Sequence, residues 1–204
     1  MSTSATRQKF KLQCTLAAAL TLVAASAFAQ TPKPPMAGVY VGATAGIGAS
    51  QWSCADFTTC NRAAFSGKAF GGYRMTPGLA AEINYIYFGA NERTNDGGQE
   101  AATGISVDRQ KTRSITLGIN WEVELLHHFT NHLRAGWAFS RKENKVTADT
   151  GAVTTTTEYN GSPYVGAGLS FRVNENVRLL SSFDYVVDGH DSNYLFSIGA
   201  SAEF

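Results

Sequence analysis

The chain has 204 residues, of which 44% are hydrophobic and 16% are charged, and its formal net charge is +1. The hydrophobic share excludes disorder by composition, and the near-zero charge leaves no electrostatic footprint for nucleic acid, so we expect no nucleic-acid partner. Low charge, 20 glycines and 11% aromatic residues favour a single β-rich domain.

The first 29 residues have the organisation of a secretory signal peptide. A basic start precedes an uncharged apolar run over residues 15–28, and residues 27–29 (Ala-Phe-Ala) form an A-x-A cleavage site. The run is too short for a transmembrane helix. We therefore predict a signal peptide over residues 1–29, a short linker over residues 30–37 and a folded domain over residues 38–204.

Eight segments of the remaining chain alternate apolar residues with polar or small ones, at the period of a β-strand. The fourth segment is the clearest, because Ile115, Leu117, Ile119 and Trp121 alternate with Thr, Gly and Asn. Each segment is about ten residues long, which is the length of a tilted strand that crosses a bilayer. In chain order, the segments cover residues 39–48, 65–75, 79–87, 114–123, 129–140, 164–173, 177–188 and 194–204.

The connections between these segments alternate in length. Tight turns are predicted at residues 76–78, 126–128 and 174–176. The other connections are longer, apart from the last: residues 49–64, 91–111, 143–162 and 189–193. Short turns on one side of the membrane and long loops on the other are typical of outer-membrane barrels. A soluble eight-stranded barrel of the lipocalin type is the alternative.

The two faces of the segments distinguish these alternatives. In a soluble barrel the apolar face points inward, whereas in a membrane barrel it faces lipid. The polar face is rich in small residues, such as Gly42, Gly46, Gly166 and Gly168, which suit the crowded interior of a small barrel. Aromatic residues of the apolar face gather near segment ends, as in interfacial girdles. The sequence therefore predicts an all-β fold, an eight-stranded antiparallel up-and-down transmembrane barrel.

Nine charged residues lie on the polar face and are predicted to form a network in the lumen: Lys68, Arg74, Glu82, Glu122, Arg134, Arg172, Arg178, Asp184 and Glu203. Charges in a narrow interior must pair or contact water. We place Lys68, Glu82, Arg134 and Asp184 near mid-height and the others nearer the tight turns. A fixed ion-pair core is favoured over a gate that exchanges partners and passes small ions, because side chains fill eight-stranded interiors.

Two cysteines, Cys54 and Cys60, lie in the first long connection. An exported protein reaches an oxidising compartment, where a disulfide between them would close a small local loop. A metal site would need further ligands, and no His lies nearby in the sequence. The sequence therefore favours a disulfide.

Several motifs, in this order, resemble the OmpA-like eight-stranded outer-membrane barrels, a family that includes opacity and OmpX-type proteins. The second hairpin has Phe-Gly-Gly-Tyr-Arg at residues 70–74, a tight turn at residues 76–78 and an inward Glu82. Arg-Ala-Gly at residues 134–136 resembles the family's fifth strand, and Ser-Pro-Tyr-Val-Gly-Ala-Gly at residues 162–168 resembles its sixth. The resemblance covers residues 38–204.

The end of the chain resembles the family's assembly signal. Phe204 is the last residue, and Phe196 and Ile198 lie at alternate positions before it. In this family such a C-terminal pattern is read by the barrel assembly machinery, which is therefore an expected partner during biogenesis.

The resemblance also points to a departure within the lumen. In the family, a Glu on the third strand pairs with a Lys on the fourth strand or an Arg on the seventh. Here Gly118 and Ser182 are predicted at those places. Glu82 is therefore expected to use Lys68, Arg74 or Arg134, and a gate of the family type is not predicted.

The resemblance implies a protein of the bacterial outer membrane, exported through a cleaved signal peptide and surrounded by outer-membrane lipids. We expect a monomer without catalytic activity, cofactor or metal. Its predicted role is structural or one of surface interaction, in which the long extracellular loops contact host or envelope proteins. A narrow porin-like channel for small ions or solutes is the alternative.

A third hypothesis is an enzyme that modifies lipid A. His190-Asp191-Ser192 resembles the His-x-Ser of outer-membrane lipid A deacylases, and Asp188 or Asp191 would orient the His. Because this stretch has the composition of a polar turn, we do not expect catalysis.

Overall fold

A computed structural model describes six stretches of the chain: residues 38–51, 53–55, 57–96, 103–126, 128–187 and 192–204. The predicted signal peptide and linker lie outside the described residues and stay predictions. No helix in the described part of the chain has the length and hydropathy needed to cross a bilayer, a finding that does not bear on crossing by strands.

The described residues form nine antiparallel strands: β1 (Val39–Ser50), β2 (Thr59–Asn61), β3 (Ala63–Thr76), β4 (Leu79–Thr94), β5 (Ile105–Leu126), β6 (Phe129–Ala148), β7 (Val153–Arg172), β8 (Val177–Val186) and β9 (Asn193–Glu203). Eight of them close into a ring in the order β1-β3-β4-β5-β6-β7-β8-β9, with β9 paired to β1. The short β2, in the first long connection, adds to the end of β4. The predicted eight-stranded up-and-down barrel is confirmed, with β2 as an addition.

The strands are strongly tilted. Paired residues lead from Ala43 through β3, β4, β5 and β6 to Gly161 on β7. In the other direction, through β9 and β8, they lead from Ala43 to Phe171, ten residues further along β7. This offset is the shear of the barrel, and it requires the strands to tilt against the barrel axis.

The apolar face points outward along the ring. On β5, Leu117 and Ile119 are each 50% exposed, whereas Thr116 and Asn120, which flank them, are fully buried. The same alternation continues on the other long strands, which turn large apolar residues outward and polar residues inward. The facing predicted for a membrane barrel is therefore confirmed, and it is opposite to that of a soluble barrel.

Three strands are much longer than the predicted ten residues. Strand β5 has 22 residues, and β6 and β7 have 20 each. The predicted long connections over residues 91–111 and 143–162 are therefore wrong, because most of these residues belong to paired strands. Beyond the bilayer the outward face contacts water instead of lipid, so the outward residues need not be apolar and the alternation of apolar and polar residues that marks a strand disappears.

A bulge changes the facing of β4 near its end. The pairing of β4 with β5 shifts between Tyr87 and Ala90, and Gly89 has a φ of 93°. A Cβ at Gly89 would lie 2.5 Å from the Cβ of Ala64, so both the backbone conformation and the space require glycine. Past the bulge, Arg93 is aligned with the inward-facing Asp108 on β5.

The lumen also contains many apolar side chains, a number that the sequence pattern did not predict. One buried group lies toward the long-loop end: Ile86, Phe88, Ala138, Tyr164, Val186 and Leu195. A second lies toward the tight turns: Tyr40, Phe70, Ala80 and Leu180. Small residues make room for the large ones, since a Cβ at Gly72 would lie 2.3 Å from the ring of Tyr40. These side chains fill the space between charged groups.

Candidate functional site

A fully buried ion pair crosses the middle of the lumen. Lys68 Nζ on β3 lies 2.7 Å from Asp184 Oδ2 on β8, and both side chains have 0% exposure. Ser182 accepts a hydrogen bond from Lys68 and donates one to Asp184, while the Tyr164 hydroxyl donates to the other carboxylate oxygen. The charges are therefore enclosed by hydrogen-bonding partners, as buried charges require.

A second buried pair joins Glu82 and Arg134. Arg134 Nε lies 2.9 Å from Glu82 Oε1, and the other carboxylate oxygen accepts hydrogen bonds from Tyr40 (2.8 Å) and Asn120 (3.1 Å). Arg134 also donates to Ser182 Oγ at 3.2 Å, and this bond connects the two pairs.

Nearer the tight turns, four charged side chains alternate in sign. Arg74 lies 3.0 Å from Glu122 and 2.9 Å from Glu203. Arg178 approaches the same two carboxylates, at 3.5 Å and 2.5 Å respectively. Because each carboxylate lies between two guanidinium groups, the charges of the cluster cancel.

The structure therefore brings together eight of the nine charged residues predicted for the lumen. The exception is Arg172, which is half-buried, is aligned with Arg178 across β7 and β8, and takes part in none of the ion pairs found among the described residues. Gly118 lies opposite Glu82, as the sequence predicted, and Glu82 pairs with Arg134, one of the three expected partners.

Sequence reasoning missed the neutral members of this network. His132 bonds through Nε2 to Ser170 (2.8 Å) and lies 3.3 Å from Asn120 through Nδ1. Asn120 in turn donates to Glu82, and Tyr40 donates to the same oxygen. Their inward positions were visible in the alternation, but an uncharged side chain in a strand pattern does not reveal which partner it meets.

Strands β4 to β7 continue beyond the level at which β8 and β9 end, and with β2 they form an extended sheet. Strand β7 first pairs with β8 at Tyr164, opposite Val186, and the Val187 amide donates to the Pro163 carbonyl. Among the described residues, residues 153–159 of β7 are strand-paired to β6 and to no other strand. We call this stretch the free edge of β7, because the described residues of β8 and β9 do not cover its second side.

The disulfide between Cys54 and Cys60 is present, and the prediction is confirmed. It closes the segment that leads into β2, which pairs with the end of β4. Arg93 reinforces this attachment: it donates to the Ser53 carbonyl, stacks over the ring of Phe57 at 4.1 Å and pairs with Asp108 at 2.6 Å. The first connection is thus fastened to the extended sheet.

The remaining predicted features are the C-terminal assembly signal and the motif at residues 190–192. Phe196, Ile198 and Phe204 all point outward and are highly exposed, at 62%, 66% and 79%, and their role as an assembly signal stays a prediction. His190 and Asp191 lie outside the described residues. Ser192 is described and accepts a hydrogen bond from the Tyr185 hydroxyl.

The closed ring, the lipid-facing apolar band and the charge-paired lumen define a small transmembrane β-barrel. The family model of the OmpA-like transmembrane domain matches residues 34–195, and the chain belongs to this family. It is a protein of the bacterial outer membrane.

Solved structures with the same fold include three small outer-membrane barrels. Ail, the attachment invasion locus protein of Yersinia pestis, is 12% identical, with a TM-score of 0.56 over 82% of this chain and 99% of that chain. Neisserial surface protein A is 20% identical, with a TM-score of 0.57 over 81% of this chain and 97% of that chain. OprG from Pseudomonas aeruginosa is 11% identical, with a TM-score of 0.58 over 82% of this chain and 96% of that chain. These likenesses concern the fold, and no curated protein matched the sequence.

Proposed function

We propose that the protein acts by surface interaction, and that the free edge of β7 pairs with an extended segment of a host or envelope protein. The observation that carries the proposal is the stretch of residues 153–159, which among the described residues is strand-paired on one side, to β6. An exposed strand edge presents backbone donors and acceptors in the arrangement that an added strand requires.

The direction of the backbone groups identifies which residues would bond a partner. The Pro163 carbonyl accepts from Val187 of the β8 side, and the Arg172 amide bonds to His128 on the β6 side. Because successive residues of a strand bond to opposite sides, odd-numbered residues of β7 direct their backbone groups toward the free edge. Thr155, Thr157 and Tyr159 therefore carry the groups available to an added strand.

The composition of the free edge suits recognition in water. Residues 154–157 are four consecutive threonines, and Thr combines high β-propensity with a polar side chain. Both faces are exposed along residues 153–161. A polar edge of this kind remains soluble, whereas an apolar one would favour self-association.

The lumen supports surface interaction over a channel. Two buried ion pairs and two groups of apolar side chains occupy its cross-section along the barrel. Eight-stranded barrels have interiors just wide enough for side chains. The fold shared with Ail, whose name describes attachment and invasion, agrees with a surface role.

The test measures binding of a fluorescent ten-residue peptide of alternating Thr and Val to the refolded barrel in lipid nanodiscs. Thr157→Pro removes the amide donor from the free edge without removing a bond to β6, and Thr157→Ala keeps the backbone intact as the matched control. We expect saturable binding to the wild type and to Thr157→Ala, and a loss of at least about fivefold in Thr157→Pro.

A peptide with N-methylated alternate amides should bind poorly to every variant, because it lacks the donors that a strand adds. Equal binding of the wild type and Thr157→Pro, or no binding by the wild type, would contradict the proposal. Heat-dependent electrophoretic mobility confirms that each variant is folded before binding is measured.

A further inference from the structure

A groove lies on the outer surface of the barrel, between β4 and β7. Its volume is about 610 Å³, which is in the range of small-molecule sites. Its main side chains come from four neighbouring strands and are three aromatic rings, two arginines and one aliphatic residue: Tyr85, Phe139, Tyr159, Arg113, Arg141 and Ile115. The groove is therefore apolar in its walls and cationic at one end.

The groove lies where the lipid-facing band ends. Ile115 and Phe139, which are aligned across β5 and β6, are exposed outward and belong to the apolar band. Arg113 and Arg141 are aligned at the next outward position toward the long-loop end, roughly 7 Å further along the strands. An outward cation immediately above the apolar band lies at the level of lipid headgroups.

Among the described residues, the two arginines have one acidic contact between them, and it is a distant one. Like charges directly opposite each other on neighbouring strands destabilise a sheet, and Arg113 and Arg141 are in that arrangement. Arg141 has a distant contact with Glu143, at 3.9 Å, and its guanidinium lies 5.8 Å from the ring of Tyr159. Arg113 takes part in none of the ion pairs found among the described residues.

The charge of the surrounding face has the same sign. Above the apolar band, the outward positions of β4, β5 and β6 carry five basic and two acidic residues: Arg109, Lys111, Arg113, Arg141, Lys145, Glu92 and Glu143. Glu92 lies 3.8 Å from Arg109, away from the groove. The groove is therefore open to an anion, and an anion between Arg113 and Arg141 would offset their repulsion.

We propose that this groove binds a phosphorylated lipid of the outer leaflet. Arg113 and Arg141 hold the phosphate, because guanidinium groups bind phosphate oxygens with paired, charge-assisted hydrogen bonds. The acyl chains continue downward along Ile115 and Phe139, and the ring of Tyr159 flanks the headgroup. The inference does not rest on the proposed partner at the free edge of β7, although the two sites meet at Tyr159.

The experiment compares two lipids that differ only in phosphate. The barrel is refolded in phosphatidylcholine nanodiscs containing either bis-phosphorylated lipid A or its dephosphorylated form, and the lipid that stays bound is counted by native mass spectrometry. We expect the wild type to retain the phosphorylated form about tenfold better, since charge-assisted hydrogen bonds discriminate at this level. Excess inorganic phosphate should displace little of it, because the acyl chains contribute to binding.

The variant Arg113→Gln/Arg141→Gln should lose this preference. The matched control is Arg109→Gln/Lys145→Gln, which removes the same charge from an aligned pair of β5 and β6 four residues farther from the groove. The control should stay within about twofold of the wild type. Equal losses in both variants would mean diffuse attraction by the basic face and would overturn the proposal, as would equal retention of the two lipids by the wild type. All substituted side chains are outward and exposed, and folding is verified by heat-dependent mobility.

Discussion

Lys68 and Asp184 join two strands that share no backbone hydrogen bonds. Strands β3 and β8 are separated in the ring by β1 and β9, yet the ammonium and carboxylate meet at 2.7 Å inside the lumen. Neither side chain is exposed. Each charge is stable in the interior because the other is present, so the pair couples opposite sides of the barrel.

Loss of Lys68 should therefore be costly. We expect Lys68→Met to lower the free energy of unfolding by about 3–5 kcal/mol, because Asp184 would remain buried without its cation. Urea unfolding of the refolded barrel in lipid vesicles measures the change. Lys145→Met, at an exposed position of β6, should change it by less than about 0.5 kcal/mol. Similar losses of unfolding free energy in the two variants would show that the buried ion pair does not stabilise the barrel.

The lipid-facing assignment can be tested at Leu117. This residue is outward and half-exposed, near the middle of the apolar band. Leu117→Arg should cost about 2–4 kcal/mol of unfolding free energy, since a charge would contact hydrocarbon. Thr155→Arg, on the extended sheet, should be nearly neutral because that position contacts water. If Leu117→Arg left the unfolding free energy unchanged, the assignment of the apolar face to lipid would be wrong.

Two adjacent glycines provide a matched pair for the lumen. A Cβ at Gly72 would lie 2.3 Å from the Tyr40 ring, whereas a Cβ at Gly71 meets its nearest atoms at 3.7 Å. The Tyr40 ring cannot move freely, because its hydroxyl is bonded to Glu82. Gly72→Ala should therefore cost about 1–3 kcal/mol, and Gly71→Ala should be tolerated. Chemical denaturation distinguishes them, and equal stability of both variants would count against a tightly filled lumen.

The disulfide should matter locally rather than globally. The variant Cys54→Ser/Cys60→Ser should leave barrel unfolding within about 1 kcal/mol of the wild type, because the bridge closes a short loop outside the ring. Limited proteolysis should cut the first connection faster in the variant. Thiol labelling of intact cells, without reductant, should find neither cysteine free. A barrel that cannot fold without the disulfide would contradict the expectation that the bridge stabilises only the first connection.

Planar-bilayer recordings address the lumen directly. The wild-type barrel should show no conductance or only small, infrequent openings, since side chains fill eight-stranded interiors. Glu82→Gln removes the counter-charge of Arg134, so it should destabilise the barrel and make small openings more frequent. Glu92→Gln, which is outward and exposed, serves as the control. Large, steady openings of the wild type would favour a channel instead.

The transmembrane strands and their facing could be predicted from the sequence because each follows one simple rule. In segments such as β5, lipid on one side and a crowded lumen on the other impose opposite requirements on neighbouring residues. Ile115, Leu117 and Ile119 therefore alternate with small or polar residues. The rule fails beyond the bilayer, where residues 154–157 are all threonine, and there the predicted loop proved to be paired strand.

The pairing of the charged side chains in the lumen could be known only from the tertiary structure. The alternation placed Glu82, Arg134, Lys68 and Asp184 inside at similar height, but it allowed several pairings among them. Shear and strand tilt decide which side chains meet, because they set the vertical offset of each strand against strands across the barrel. The neutral partners, such as Ser182, became identifiable only after that offset was known.

By itself, the sequence determined that this protein is an eight-stranded outer-membrane barrel with an apolar exterior and a charged lumen. These properties depend on alternation and local spacing, which the chain carries residue by residue. Only the tertiary structure decided the free edge of β7, the bulge at Gly89 and the groove between Arg113 and Arg141. The first depends on how far one strand extends past its neighbour, and the other two depend on the register of paired strands; both are properties of pairing between segments distant in sequence.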